Sequence, residues 1–143
     1  MRLELTRRGD YAIRAVIALA RHAPDVVGAA RIAEETGIPR RFVAQVMTEV
    51  VRSGIAETRL GRSGGYRMRR PASQVSVLDV VEAVEGDVGR HSCVLRNAPC
   101  GRGGTCDVHE VFLAAQDALL EELRRATIAS LLRDGSELAA VPA

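Results

Sequence analysis

The chain has 143 residues, 47% of them hydrophobic, yet only two Phe, two Tyr and no Trp, so it can bury a core of domain size that must be mostly aliphatic. No apolar run approaches the ~20 residues of a membrane span, and the charged start Met1, Arg2, Leu3, Glu4 is unlike a signal peptide, so the expectation is a cytoplasmic protein with no membrane partner. The net charge of +2 hides a split: residues 1–70 carry 14 Arg against 7 acids and residues 71–143 carry 6 Arg against 11, so only the first half is suited to a polyanion.

In chain order, Ala12, Ile13, Val16, Ile17, Leu19 and Ala20 recur at helical spacing and predict a helix over 10–21. Gly9 and Asp10 are read as its start, with Asp10 answering free backbone N–H groups, and Arg14 and Arg21 are placed on its outer face. A second, short helix over 29–36 is cut off at Gly37. Pro39 opens a third, running from Arg40 to about Ser53, whose Phe42, Val43, Val46, Met47, Val50 and Val51 fit a 3.6 period. Ala33 is small where the two helices would cross and Ile38 plugs the corner, which makes the pair a helix-turn-helix rather than an ordinary helical hairpin.

Residues 55–59 and 65–69 read as two short strands around a tip of Gly61, Arg62, Ser63 and Gly64. Arg59, Arg62, Arg67, Arg69 and Arg70 crowd this hairpin. A basic hairpin directly after a helix-turn-helix is a wing, in which glycines let backbone approach a sugar–phosphate chain and arginines reach phosphates or the minor groove. Arg40, Arg41, Ala44 and Gln45 on the third helix, and Arg59, Arg62, Ser63 and Gly64 on the wing, are the candidate contacts to double-stranded DNA. After Pro71, Ser76 caps a helix over 77–84 with Leu78, Val81 and Val84 facing inward.

All three cysteines, Cys93, Cys100 and Cys106, then fall within 14 residues, in a stretch that also holds Pro99 and three glycines. Such a segment is neither strand nor helix, and its backbone can curl until several sulfurs face one point. Thiolates of this kind suit iron–sulfur clusters and zinc. His109, three residues beyond Cys106, could share a metal with it from one helical turn. A redox-sensing thiol and chemically inert cysteines are the competing readings.

Asp107 is read as the start of a long helix in which Val108, Phe112, Ala115, Leu119 and Leu123 form an apolar stripe, followed by a short helix over 128–132 capped by Thr127. A stripe of that length has too little surface to cover it within so small a chain, so a homodimer through these five residues is expected. The fold class is thus mostly α with a small β-hairpin. Residues 1–70 form a winged helix-turn-helix, 71–106 a connecting helix and cysteine-rich sensor loop, 107–135 the dimerisation helix and short terminal helix, and 136–143 a flexible tail. No Ser/His/Asp or paired-carboxylate constellation stands out, and an enzyme is not expected.

Several strings together carry a family likeness: Met-Arg-Leu at 1–3, Gly-Asp-Tyr-Ala-Ile-Arg at 9–14, Ile-Ala-Glu-Glu-Thr-Gly-Ile at 32–38, Gln-Val-Met at 45–47 and Gly-Arg-Ser-Gly-Gly-Tyr at 61–66. Val-Leu-Asp-Val-Val-Glu-Ala-Val-Glu-Gly at 77–86 and the set Cys93, Cys100, Cys106 and His109 complete it. In this order they resemble the IscR/NsrR (Rrf-two) family of winged-helix transcription regulators. The resemblance implies a DNA-binding dimer, in many members controlled by a [2Fe–2S] or [4Fe–4S] cluster on three cysteines. It offers His109 as fourth ligand, as in IscR-like members, or Asp10 from the partner subunit, as in NsrR-like members. The chain departs in having one residue more between Cys93 and Cys100 than is common, and in carrying Ala44 where IscR-like members have Glu, which implies a different operator preference.

The function expected is therefore a transcription regulator of the repressor type that senses iron–sulfur status, oxidant or nitric oxide through a cluster. The same regulator using zinc or direct thiol oxidation is the alternative, and a small iron–sulfur electron carrier is disfavoured by the wing.

Overall fold

The computed structural model describes residues 5–88 and 106–133. Helix α1, Arg7–His22, runs through the middle of the molecule. Ala12, Ala15, Val16 and Leu19 are fully buried along it. It begins three residues before the predicted start because Thr6 is the cap: its hydroxyl accepts the Gly9 N–H at 3.2 Å. Asp10 lies inside the first turn and caps nothing. Arg14 is also not outside. It is 4% exposed, and its placement on the outer face from sequence is overturned.

Helix α2, Ala29–Thr36, ends at Gly37, which is left-handed at φ 70° and donates its N–H to the Ala33 carbonyl at 3.0 Å. Helix α3, Arg40–Arg52, follows after Ile38, which fills the corner at 2% exposure. Val43, Val46, Met47 and Val50 turn inward from α3 and join the α1 residues in one aliphatic core. Most of the fold's stabilisation comes from such burial, at roughly 1.5–3 kcal/mol for each large side chain.

Strands β1, Ala56–Arg59, and β2, Gly65–Met68, pair antiparallel, with Ala56 opposite Met68 and Arg59 opposite Gly65. The hairpin is rooted on the segment before α2. Val27 and Tyr66 exchange both backbone hydrogen bonds, at 2.8 and 2.9 Å. That approach leaves no room at Gly65, where a Cβ would stand 2.3 Å from the Val27 carbonyl oxygen. A 3-10 turn, Ala72–Gln74, then leads to helix α4, Val77–Glu85, started by a reciprocal capping box between Ser76 and Asp79.

Five of the nine residues of α4 are buried, because α1, α3 and a later helix, α5 (His109–Arg125), all pack against it. At its end the Glu85 carboxylate accepts both the N–H and the hydroxyl of Thr6, joining the last turn of α4 to the first turn of α1. Helix α5 spans His109–Arg125. It starts two residues later than predicted, with residues 107 and 108 in a turn and no side chain capping it. No residue of α5 is buried. Helix α6, Ile128–Arg133, returns to the core, where Ile128 is fully buried. Its start is pinned by Ile128 N–H to the Val75 carbonyl and by Val77 N–H to the Ala126 carbonyl, both at 2.8 Å. As expected from sequence, Thr127 caps it, accepting the Ser130 N–H at 3.2 Å.

Candidate functional site

The helix-turn-helix leaves one face of α3 open. Arg40, Arg41, Ala44 and Gln45 are exposed, at the spacing of a single helical stripe, while the opposite stripe is in the core. Arg41 is braced from below. Its guanidinium lies 4.8 Å over the Phe42 ring, and that ring packs at 5.8 Å, tilted by 42°, against Tyr11 of α1. An exposed cation–π contact of this kind is worth about 0.5–1 kcal/mol, enough to favour one rotamer of Arg41. The sequence stripe located Phe42 as apolar but gave no sign of its aromatic partner.

Beneath α3 the turn is tied by two buried side chains that the sequence did not single out. Thr36 donates its hydroxyl to the Ile32 carbonyl at 2.5 Å and accepts the Ile38 N–H at 3.3 Å. Arg14 reaches the Thr36 carbonyl at 3.4 Å with one nitrogen and holds Asp10 with two others, each at 2.9 Å. A guanidinium matches a carboxylate in this two-point geometry, which is why arginine rather than lysine survives burial there. The i,i+4 spacing of Asp10 and Arg14 was the available signal. A neighbouring cluster joins α1 to α2: Glu35 accepts from Arg31 at 2.7 Å and lies 2.8 Å from the His22 ring nitrogen. Burial alone would raise the Glu35 carboxyl, but the hydrogen bonds from Arg31 and His22 outweigh it and hold the group below its usual 4.5.

On the wing, Arg59, Arg62 and Ser63 are exposed and Gly64 is half-buried. The arginines are not equivalent. Glu57 holds Arg67 at 2.5 Å and Arg59 at 3.1 Å, and its carboxyl is kept below the usual range chiefly by the Arg67 hydrogen bond. Arg62 at the tip and Arg69 at the foot of the hairpin are exposed and make no ion pair among the described residues, so theirs are the charges left open to an incoming phosphate. Leu60, between Arg59 and Gly61, is 94% exposed and was passed over in the sequence.

Of the cysteine set, Cys93 and Cys100 lie outside the described residues. Cys106 and His109 are both half-buried on one turn, in which the His109 N–H donates to the Cys106 carbonyl at 3.0 Å. Among the described residues no three potential metal donors gather at one point. Of the expected interface residues, Phe112, Leu119 and Leu123 are half-buried, and Val108 and Ala115 are exposed. Val111, which the predicted stripe omitted, is 69% exposed one turn from Val108. No helix among the described residues is long and apolar enough to cross a membrane.

A family profile described as an iron-dependent transcriptional regulator, Rrf2, matches residues 5–134. The chain is 29% identical over 137 residues to the transcriptional regulator IscR of Vibrio atlanticus, covering 95% of this chain and 79% of that one. Among solved structures it is similar to the cysteine regulator CymR of B. subtilis, with a TM-score of 0.78 at 20% identity over 94% of this chain and all of that one. IscR of T. potens gives a TM-score of 0.73 at 22% identity over 99% and 94% of the two chains.

Proposed function

Because the chain belongs to the Rrf2 family of transcriptional regulators, we propose that it is a dimeric DNA-binding repressor whose operator affinity is set by an iron–sulfur cluster on its cysteine segment. The observation that carries the DNA-binding part is the exposed stripe of Arg40, Arg41, Ala44 and Gln45 on the second helix of a helix-turn-helix, followed by an arginine-bearing wing. Arg41 and Gln45 read base edges in the major groove. Ala44 offers only apolar contact, of the kind a thymine methyl accepts. Arg59, Arg62, Ser63 and the Gly64 backbone meet the phosphate and sugar chain.

A homodimer is favoured by α5, a 17-residue helix with no buried residue, whose Phe112, Ala115, Leu119 and Leu123, with Val108 in the turn before it, supply an apolar face to a second copy. Two winged units are then presented together to a two-fold related operator.

The residues fit a metal cofactor. Cys106 and His109 stand on one hydrogen-bonded turn, and a thiolate and an imidazole are ligands that iron accepts. With Cys93 and Cys100 they make a donor set of three sulfurs and one nitrogen. His109 suits the fourth position better than Asp10. Both Asp10 oxygens are engaged by Arg14, and withdrawing them would leave a buried guanidinium short of its counter-charge. A [2Fe–2S] or [4Fe–4S] cluster held there would supply a tie that oxidant or nitric oxide removes. The chain's own part is to join that tie to the DNA-binding unit: α4 enters the cysteine segment from a turn bonded to Thr6 of α1, and α5 leaves it at His109.

Purification under strict anaerobiosis tests this reading. The expected protein is brown, with iron and sulfide in equal amounts, and Cys93→Ala, Cys100→Ala, Cys106→Ala and His109→Ala each lose iron. Operator affinity should differ between the brown and the iron-free protein. Colourless protein after anaerobic reconstitution refutes the cluster. Bound zinc, or no metal and a reversible response to peroxide, then identifies the zinc or thiol regulator instead.

A further inference from the structure

Leu60 is the most exposed large apolar side chain among the described residues, and it stands at the wing tip rather than on the helix that the dimer requires. Its neighbours in the chain are Arg59 and Gly61, with Arg62 one step further. Gly61 is left-handed at φ 110°, and its carbonyl accepts the Gly64 N–H at 3.0 Å, so the tip is a tight turn held by its own backbone. The other exposed large apolar residues, Leu5, Val108 and Val111, belong to the ends of α1 and α5. Leu60 therefore has no apolar patch around it of the sort a protein partner would cover. It has arginines instead.

A leucine flanked by arginines on a narrow hairpin matches one surface well: the minor groove of a duplex. Its walls are apolar deoxyribose faces and its rims are phosphates, and at about 6 Å wide it admits a slim tip but no helix. Resting on the DNA-binding reading above, we propose that Leu60 is the wing's minor-groove residue. It packs between the sugar walls beside the base pairs faced by α3, with Arg62 on a flanking phosphate. Its contribution is burial of apolar surface, so it adds affinity without adding to counterion release. It also disfavours steps whose groove floor carries the guanine amino group, since that amine occupies the depth the side chain needs.

The test uses a duplex selected from a random pool by the wild-type protein, with affinity measured by fluorescence anisotropy across a salt series. Leu60→Ser should weaken binding about tenfold at every salt concentration with the salt slope unchanged, as expected for losing a buried leucine. Leu60→Met should stay within about threefold of wild type. Replacing adenine by 2,6-diaminopurine at wing-protected positions adds a minor-groove amine. It should weaken the wild type and leave Leu60→Ser unaffected. Unchanged affinity of Leu60→Ser beside a weakened Arg62→Ala overturns the role of Leu60 and leaves the wing assignment standing. If neither variant changes affinity or slope, the wing assignment falls as well. A Leu60→Ser loss that is indifferent to diaminopurine, or that accompanies a change in oligomeric state, assigns the residue to another surface.

Discussion

Asp10→Ala tests how far the helix-turn-helix depends on a single ion pair. The Arg14 side chain is 5% exposed and the Asp10 side chain 38%. Removing the carboxylate leaves a buried guanidinium with, among the described residues, only the Thr36 carbonyl, at 3.4 Å, as a hydrogen-bond partner. Breaking a fully buried pair from one side costs ~3–5 kcal/mol. The carboxylate here is partly solvated and water can enter in its place, so the expected loss is about 2–3 kcal/mol. For a chain of this size that lowers the melting temperature by roughly 5–10 °C. Urea unfolding of the iron-free protein measures it directly. The double variant Asp10→Ala with Arg14→Met removes the stranded charge and should recover much of the loss, giving a coupling of about 2 kcal/mol in the cycle. A loss below about 0.5 kcal/mol for Asp10→Ala, the value of a solvated surface pair, would refute the reasoning. The result also governs how ligand assignment is tested: iron lost from Asp10→Ala counts as loss of a ligand only after the weakened fold is corrected for, whereas His109→Ala touches no buried charge.

Arg62→Ala should weaken binding to all duplexes and lower the salt slope by about 0.9, whereas Arg59→Ala should do less on both counts because Glu57 already shares its charge; salt-dependent anisotropy decides, and equal effects would argue against that distinction. Leu119→Asp on α5 should convert a dimer to a folded monomer in sedimentation, with the thermal melt of the winged core little changed, since no α5 residue is buried within the chain. Glu35 has a folded-state pKa below its ordinary 4.5, so its ion pairs stabilise the fold above that pH, and the contribution is lost as pH falls through the lower folded value. Glu35→Gln should therefore be less stable than wild type at pH 7, with the difference closing as pH drops below about 4.5 in urea melts.

The apolar periodicity of α1, α3 and α4 was legible because each helix turns an aliphatic stripe onto one shared core, and the glycine at 37 marked the helix-turn-helix directly. Arg14 was misplaced by the same logic. A charged residue scores as an outer one unless its partner is seen, and here the partners are Asp10 one turn before it and a carbonyl 22 positions away. The start of α1 was missed because a Thr cap at 6 competed with a Gly-Asp pair that looks like one. The wing's arginines were visible as charge, but their division into held and open depends on Glu57 reaching across strands, which linear order does not express. Leu60 escaped notice because it falls between the strand predicted over 55–59 and the tip that begins at Gly61. Tyr11 and Phe42 were separately visible as aromatic residues; only the packing of α1 on α3 makes them a pair.

The backbone bridge between Ser76 and Thr127 has a consequence in time. During synthesis α1, α2, α3 and the wing leave the ribosome long before Ile128, yet Ile128 fills the same core as Ala12, Val16 and Leu19. The unit that meets DNA is therefore open on one side until α6 arrives. The bridge fastens the two ends of the 76–127 segment to each other, and α4 within that segment packs into the core. A residue added between the two anchors lengthens the closed segment and leaves its anchor points where they were. Closing so long a loop costs only slightly more for each residue added, so its length can vary among relatives while the winged unit stays the same.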